Sequence, residues 1–285
     1  MKDCNSRRVS QVGRLAKTMM VGSAAVAFLG LSMNAQAQPA CTVDNWTDAP
    51  GLSDADTGYQ GPDNRRYGGP CGLRVDFDGD ARYVTYESGQ GEGSYIARFY
   101  AFLDGMGSDP AIIFAGEGDG ADVVQVWYNF PAANDLTLRA FDAADASNDL
   151  TFNSVGSGWH SIEFEWNRDS GDVHFLVNSD DPADEASMNI DLSGLAIEAA
   201  SLGNPAGDNT GGVADFDDFD SRRSTRPGRL VVGDATDSGA VGVADLSAII
   251  AEIQGSSFAA GQPDCNEDGN VGVADLSCVI GIIQQ

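Results

Sequence analysis

The heptapeptide VGVADLS stands at 241–247 and again, letter for letter, at 271–277. The residues before each copy match in kind, GDATDSGA before the first and PDCNEDGN before the second. Numbered from its first aspartate, the second loop puts Asp264, Asn266, Asp268, Asn270 and Asp275 at positions 1, 3, 5, 7 and 12. The first loop puts Asp234, Thr236, Ser238, Ala240 and Asp245 in the same frame. Side-chain oxygens at 1, 3, 5 and 12, with the carbonyl at 7, converge on one point, which suits a hard cation that takes six to eight oxygens. Gly239 and Gly269 at position 6 supply the positive φ of the sharp turn. Gly242 and Gly272 at position 9 offer no side-chain oxygen, so a water would complete each shell. Two Ca2+ sites are expected, and the second, with three carboxylates against two, is expected to be the tighter. One acidic turn of this kind is common in an acidic chain, but two matched copies with matched flanks are not.

A helical pattern follows each loop. Leu246, Ile249, Ile250 and Ile253 recur at i, i+3, i+4 and i+7, as do Leu276, Val279, Ile280 and Ile283. The spacing predicts two amphipathic helices whose stripes bury each other. A segment as small as 230–285 makes a marginal core, so calcium would contribute folding free energy. Position 12 is Asp rather than the Glu of an EF-hand, and no helical pattern precedes either loop. In both respects the segment resembles the type I dockerin. That resemblance implies docking onto a cohesin module, with recognition residues at loop positions 10 and 11 and along the following helix. By position these are Val243 and Ala244, and Val273 and Ala274. Identical pairs in the two repeats would let either face engage the partner.

The other end of the chain reads as an export signal. Lys2, Arg7, Arg8, Arg14 and Lys17 precede the apolar run TMMVGSAAVAFLGLSM at 18–33. Ala35 and Ala37 then hold the small-residue positions of a cleavage site. This predicts a signal peptide over 1–37, cleaved after Ala37, and a secreted protein. The alternative is a membrane anchor, for which the run is short and rich in Gly, Ala and Ser. No other segment is apolar enough for membrane insertion. Cleavage would leave 11 arginines, no lysine and 42 acidic residues. Such a charge repels nucleic acid and anionic membranes. Cys41, Cys71, Cys265 and Cys278 remain, an even number in an exported chain, which points to disulfides. Nearest-neighbour pairing respects the two halves of the chain, and two other pairings stay open.

Residues 38–220 read as short strands. LRVDF (73–77), ARYVTYES (81–88), SYIARFYAFL (94–103), DVVQVWYNF (122–130), WHSIEFEW (159–166) and DVHFLVN (172–178) are rich in β-branched and aromatic residues and bounded by Gly, Asp and Asn clusters. This predicts a mainly β chain, a jelly-roll sandwich followed by a small α-helical module with two calcium loops. The polar, Pro-Gly-bearing stretch at 221–229 reads as the linker between 38–220 and 230–285. GWHSIEFEWNRDSGDVHFLVN (158–178) and VADFDDFDSRR (213–223) resemble strands of laminin-G-like, concanavalin-A-like jelly rolls.

Glu163 and Glu165 alternate on one strand and share a face. Paired carboxylates of that kind serve as acid and nucleophile in jelly-roll glycoside hydrolases, but EFEWNRD lacks the third acid of their E-x-D-x-x-E pattern. The competing reading is a glutamate pair facing solvent opposite a buried Ile162, Phe164 and Trp166. His160 and His174 fall on neighbouring strands, with a structural role favoured over an acid–base one. Trp46, Tyr59, Tyr67, Trp127 and Tyr128 are candidate sugar platforms or core residues. Acidic turns at 53–64 and 76–81 are further calcium candidates. Together these features predict a secreted, non-catalytic glycan- or surface-binding component of polysaccharide degradation, tethered through its C-terminal module. The alternatives are a glycoside hydrolase or lyase of the same fold, and a structural cell-surface protein that calcium merely stiffens.

Overall fold

Strands from two faces meet around a shared apolar layer. A computed structural model describes residues 41–58 and 65–285, so the expected signal peptide (1–37) and Tyr59 lie outside the described residues. In chain order the strands are β1 (Thr57–Gly58), β2 (Gly72–Asp76), β3 (Arg82–Glu92), β4 (Ser94–Phe102), β5 (Ala111–Gly118), β6 (Ala121–Tyr128) and β7 (Leu136–Phe141). They continue with β8 (Ser147–Phe152), β9 (Trp159–Asn167), β10 (Asp172–Val177), β11 (Ala186–Asn189), β12 (Ile197–Asn204) and β13 (Val213–Arg222). Seven form one sheet in the order β1-β2-β13-β4-β9-β10-β11, and six form the other, β3-β12-β5-β6-β7-β8. Neighbours in both sheets run antiparallel, giving the expected jelly-roll-like sandwich. Only two helices of eleven residues follow, α1 (Val243–Ile253) and α2 (Val273–Ile283). Pro39–Gln285 is one compact unit.

Alternation decides which side chains enter the core. On β9 Ile162, Phe164 and Trp166 are buried inward, while Glu163 and Glu165 take the opposite face. Phe114 of β5 meets Phe164 at 5.1 Å and stacks on Phe99 of β4 at 5.7 Å, which joins the two sheets across the core. β4 breaks the alternation, since every residue after Ser94 is buried. Its inward set, Tyr95, Ala97, Phe99 and Ala101, belongs to the sandwich core. In its outward set, Arg98 and Tyr100 bond the chain beyond β13, Tyr100 also stacks on Tyr67, and Phe102 lies under Gly269. Cys41 pairs with Cys71 and Cys265 with Cys278, the nearest-neighbour pairing. Among the described residues no helix is long and apolar enough to cross a membrane.

The helices bury less of their stripes than their sequence spacing predicts. Ile249 and Val279 are fully buried, and Leu246 and Leu276 pack against them. Ile250, Ile253, Ile280 and Ile283 are instead about two-fifths exposed. The cause lies at the start of each helix. Asp245 must turn back into its loop, where Oδ2 accepts from Gly242 N at 2.7 Å, and Asp275 does the same with Gly272 N at 2.7 Å. That half of a capping box fixes the helix rotation. The inward line of α1 becomes Asp245, Ile249 and Glu252, and Ile250 and Ile253 turn outward. Ile249→Ala is therefore expected to cost about 2–4 kcal/mol and Ile250→Ser no more than about 0.5 kcal/mol, as read from urea unfolding midpoints. Equal losses would place both residues in the core.

Candidate functional site

The two repeats fold into the same loop. Position 4 is left-handed in both, at φ 57° for Asp237 and 58° for Glu267, and so is the position-6 glycine, at 83° and 86°. In the first loop Asp234 accepts from Ser238 N (3.0 Å) and Gly239 N (2.6 Å). Asp245 Oδ1 accepts from Thr236 N (2.9 Å) and from its hydroxyl (2.7 Å). In the second, Asp264 accepts from Asp268 N (3.1 Å) and Gly269 N (2.7 Å), and Asp275 Oδ1 accepts from Asn266 N (3.2 Å). Positions 1 and 12 thus organise each loop from opposite ends. Gln262 joins the repeats, accepting from Gly233 N (2.7 Å) and donating to the Asp264 carbonyl (2.5 Å).

The loops differ in electrostatics. Burial pushes Asp264 up to about 7, and the neighbouring charges of Asp275 and Asp268 add to the shift. Burial raises Asp275 too. Burial also presses on Asp234, but donors from Ser238, Gly239 and Thr236 outweigh it and hold that carboxyl below its ordinary value. Among the described residues no three His, Cys, Asp or Glu side chains are gathered as a metal cluster. In the second loop Asp268 stands apart, accepting from Asn266 Nδ2 (2.9 Å) and Asn270 N (2.9 Å). The donor set is all oxygen, from carboxylates, Asn, Thr and Ser, and a buried carboxylate beside two like charges is a place where a cation fits.

The chain after β13 is fastened to the sandwich. Residues 226–230 lie over the outer face of β4 and β9. Glu163 accepts from Gly228 N (2.8 Å), and Arg226 reaches Glu163 (3.8 Å), Glu165 (3.3 Å) and Glu185 (2.5 Å). Arg98 donates to the Gly228 carbonyl (3.0 Å), and Leu230 N donates to Tyr100 OH (2.7 Å). The junction expected as a linker is a strap.

The second of the two repeat loops is also docked. Glu267, at loop position 4, accepts from Tyr67 OH (2.5 Å) and Arg229 (2.6 Å), and its carbonyl accepts from Trp159 N (3.0 Å). Gly269 lies so close to the sandwich that a Cβ would sit 2.4 Å from the Phe102 ring. Beneath it Tyr67, Tyr100, Phe102 and Trp159 form their own buried cluster, with the tyrosine rings stacked at 3.6 Å. Beside the loop, the side chains of Arg66 and Glu252 meet at 2.5 Å while 0% and 3% exposed.

These contacts decide the fate of the sequence candidates. Glu163 is 7% exposed and its carboxyl is raised by burial, against the pull of Gly228 N and Arg226. With Glu165 it anchors the strap, so neither faces open solvent as the structural reading expected. His160 and His174 do not come together. His160 pairs with Asn178 (3.0 Å) and is held below its ordinary value by burial, while His174 pairs with Glu185. Tyr67 is core, Trp127 is flanked by Arg139 and Phe130, and Trp46 lines a cavity of about 180 Å³ beside Asn45 and Thr57. In the turn at 76–81, Asp78 is paired with Arg82 at 3.0 Å. Val243 and Val273, by contrast, are each 71% exposed, the most exposed large apolar side chains among the described residues, and Ala244 and Ala274 are exposed beside them. Sequence reading missed Glu267, Arg66, Arg226 and Arg229. One signal was available, the run of β4 after Ser94, which is apolar or aromatic on both faces apart from Arg98 and so marks a strand covered on both sides.

No protein-family model matches this sequence, and no curated protein does either. Among solved structures the chain is similar to the botulinum neurotoxin type G receptor binding domain, at 12% identity and TM-score 0.43, over 60% of this chain and 42% of that one. It is also similar to the botulinum neurotoxin serotype D ligand binding domain in complex with N-acetylneuraminic acid, at 13% and 0.41, over 53% and 38%. The chain therefore spans about two-fifths of the length of these structures. At that identity and score no residue role passes from them to this chain.

Arg66→Ala would strand Glu252 in the interface and is expected to cost about 3–5 kcal/mol. Replacing both partners, Arg66→Met with Glu252→Leu, should cost less, because both charges leave together. Urea unfolding followed by tryptophan fluorescence and by helical circular dichroism checks this. The two probes should shift together if strap, loop and sandwich unfold as one.

Proposed function

We propose that this chain is an exported, calcium-dependent binding protein. Its C-terminal segment acts as a dockerin-type module, and its sandwich binds a glycan or glycan-bearing surface without catalysis. The observation that carries the module's part is the pair of matched loops that each present an exposed Val-Ala at positions 10 and 11. Val243 with Ala244, and Val273 with Ala274, would form two equivalent apolar contacts for a cohesin-like partner, flanked by the outward Ile250 and Ile280.

Asp234, Thr236, Ser238, Asp245 and the Ala240 carbonyl would hold one calcium. Asp264, Asn266, Asp268, Asp275 and the Asn270 carbonyl would hold the other. When bound, calcium supplies positive charge that neutralises converging carboxylates. The chain itself supplies the preset loop. Position-1 and position-12 aspartates draw the loop's N–H groups toward them and start the helix that carries the partner residues. The second loop, with Asp264 the most strained by burial, remains the one expected to gain most from a cation.

For the sandwich, the covered state of Glu163 and Glu165 supports binding over hydrolysis. A sugar cannot reach a carboxylate that already holds Gly228 N under a strap. Polysaccharide remains the proposed partner class, with no nucleic acid and no membrane insertion.

Calorimetric titration of chelator-treated protein should give two calcium equivalents. Asp234→Ala and Asp264→Ala should each remove one, and Asp264→Ala should remove the tighter. Two unchanged equivalents in either variant would sink the loop assignment. Val243→Asp combined with Val273→Asp should abolish capture by an immobilised cohesin module while leaving calcium stoichiometry at two. Incubation with insoluble polysaccharides should retain the protein without releasing reducing ends. Steady release that Glu163→Gln removes would make it an enzyme.

A further inference from the structure

At one end of the sandwich three connections enclose an open cleft of about 600 Å³, within the size range of small-ligand sites. They are the links between β4 and β5, between β6 and β7, and between β8 and β9. The floor is apolar, made by Met106 and by the small exposed edges of the core residues Leu103 and Tyr128. The rim is polar, with Asp104, Ser108, Asn134 and Ser157. We infer that this cleft binds the uncharged, polyhydroxylated end of a neutral saccharide, an inference that rests on the glycan-binding reading of the sandwich.

The cleft is built rather than incidental. Asn129, 4% exposed, ties two of its walls together: its amide donates to the Gly107 carbonyl (2.7 Å), and its oxygen accepts from Asn134 N (2.8 Å). Tyr128 OH donates to Asn134 Oδ1 (3.1 Å). The third wall is pinned by Val155 N on the Asn134 carbonyl (2.9 Å) and by Gly158 N on Asp104 (3.1 Å). Asn129, Asn134 and Ser154 all hold left-handed backbone, which non-glycine residues adopt only where their surroundings enforce it.

What this scaffold presents is unused hydrogen-bonding capacity. The hydroxyls of Ser108 and Ser157 and the amide nitrogen of Asn134 have no partner among the described residues. Asp104 spends its carboxylate only on Gly158 N. Donors and acceptors of both kinds around a small apolar floor match a sugar, whose ring presents hydroxyls at its edge and C–H groups on its face.

Charge selects which sugar. The cleft's one acidic side chain is Asp104, and no arginine lines it. Nor can one be spared. Each of the eleven arginines after residue 37 holds a carboxylate or a carbonyl elsewhere. A uronate or sialate would enter beside Asp104 with no counter-charge, on a chain already strongly anionic.

The test uses the signal-free chain with calcium. Affinity electrophoresis and calorimetry are run with neutral gluco-, manno-, galacto- and xylo-oligosaccharides and, as the acidic probe, oligogalacturonates. Ser157→Trp fills the exposed rim with a ring. Asn134→Gly removes the amide but suits the left-handed backbone. Each variant is expected to weaken neutral-sugar binding about tenfold or more; Ser157→Trp should leave the unfolding midpoint unchanged, and Asn134→Gly should lower it only by the loss of the Tyr128 hydrogen bond. Oligogalacturonates should not bind at any tested concentration. Neutral binding that survives both variants but is lost in Trp127→Ala would overturn the cleft and leave glycan binding standing on another face. Tight oligogalacturonate binding lost in Ser157→Trp would overturn the charge argument. Absence of binding to every sugar and to insoluble polysaccharide would remove the glycan reading itself.

Discussion

The structure turns on a buried ion pair. Arg66 and Glu252 lie almost wholly out of water, one from the loop before β2 and the other from the end of α1. Taking both charges out of solvent costs several kcal/mol each, and only close, doubly hydrogen-bonded geometry offsets it. Both Glu252 oxygens lie 2.5 Å from Arg66 Nη2, and one of them also accepts from Ala259 N (2.8 Å). The pair tolerates little relative displacement of α1 and the sandwich. Alongside it, Gly69 N donates to the Gly261 carbonyl at 3.2 Å, and Tyr67 OH donates to Glu267.

From that fastening follows the use of the outer sandwich face. In many antiparallel sandwiches such a face is polar and wet. Here it carries Tyr100, Phe102 and Trp159, and the strap and the second loop cover it. The carboxylates that a sequence reader picks out as acid and nucleophile become strap anchors for that reason. The arginines go the same way. In a chain with 42 acidic residues after residue 37, Arg65, Arg66, Arg98, Arg226 and Arg229 are concentrated at one internal seam, where a guanidinium's several donors can serve a carboxylate and a carbonyl at once.

For the proposed function, the seam changes what a tether would mean. A flexible linker lets a module sample many orientations. A loop with its position-4 side chain bonded to a buried tyrosine would present the proposed partner surface at a fixed angle to the sandwich. Val243 and Val273 stand clear of the seam, so docking to the sandwich and exposure to a partner use different sides of the same repeats. Calcium in the second loop would also act on a segment that touches the sandwich directly, which links ion binding to the stability of the whole unit.

The sequence by itself determined the elements. Period-two alternation in WHSIEFEW set which side of β9 is core, because successive side chains must leave a strand on opposite faces. The loop frame set which residues lie at positions 1, 6 and 12, because backbone turn and side-chain reach are local. The cysteine pairing, which the sequence left open among three, is the nearest-neighbour one in the structure. Tertiary structure decided the rest. Helix rotation depended on Asp245 and Asp275 folding back, which moved half of each apolar stripe outward. Whether Glu163 met water depended on a strap some sixty residues later in the chain. The cleft depended on three connections that no local pattern relates. Contacts between distant segments are set by the closing of the sheets, and a single sequence carries them only as faint excesses, such as the apolar residues on both faces of β4.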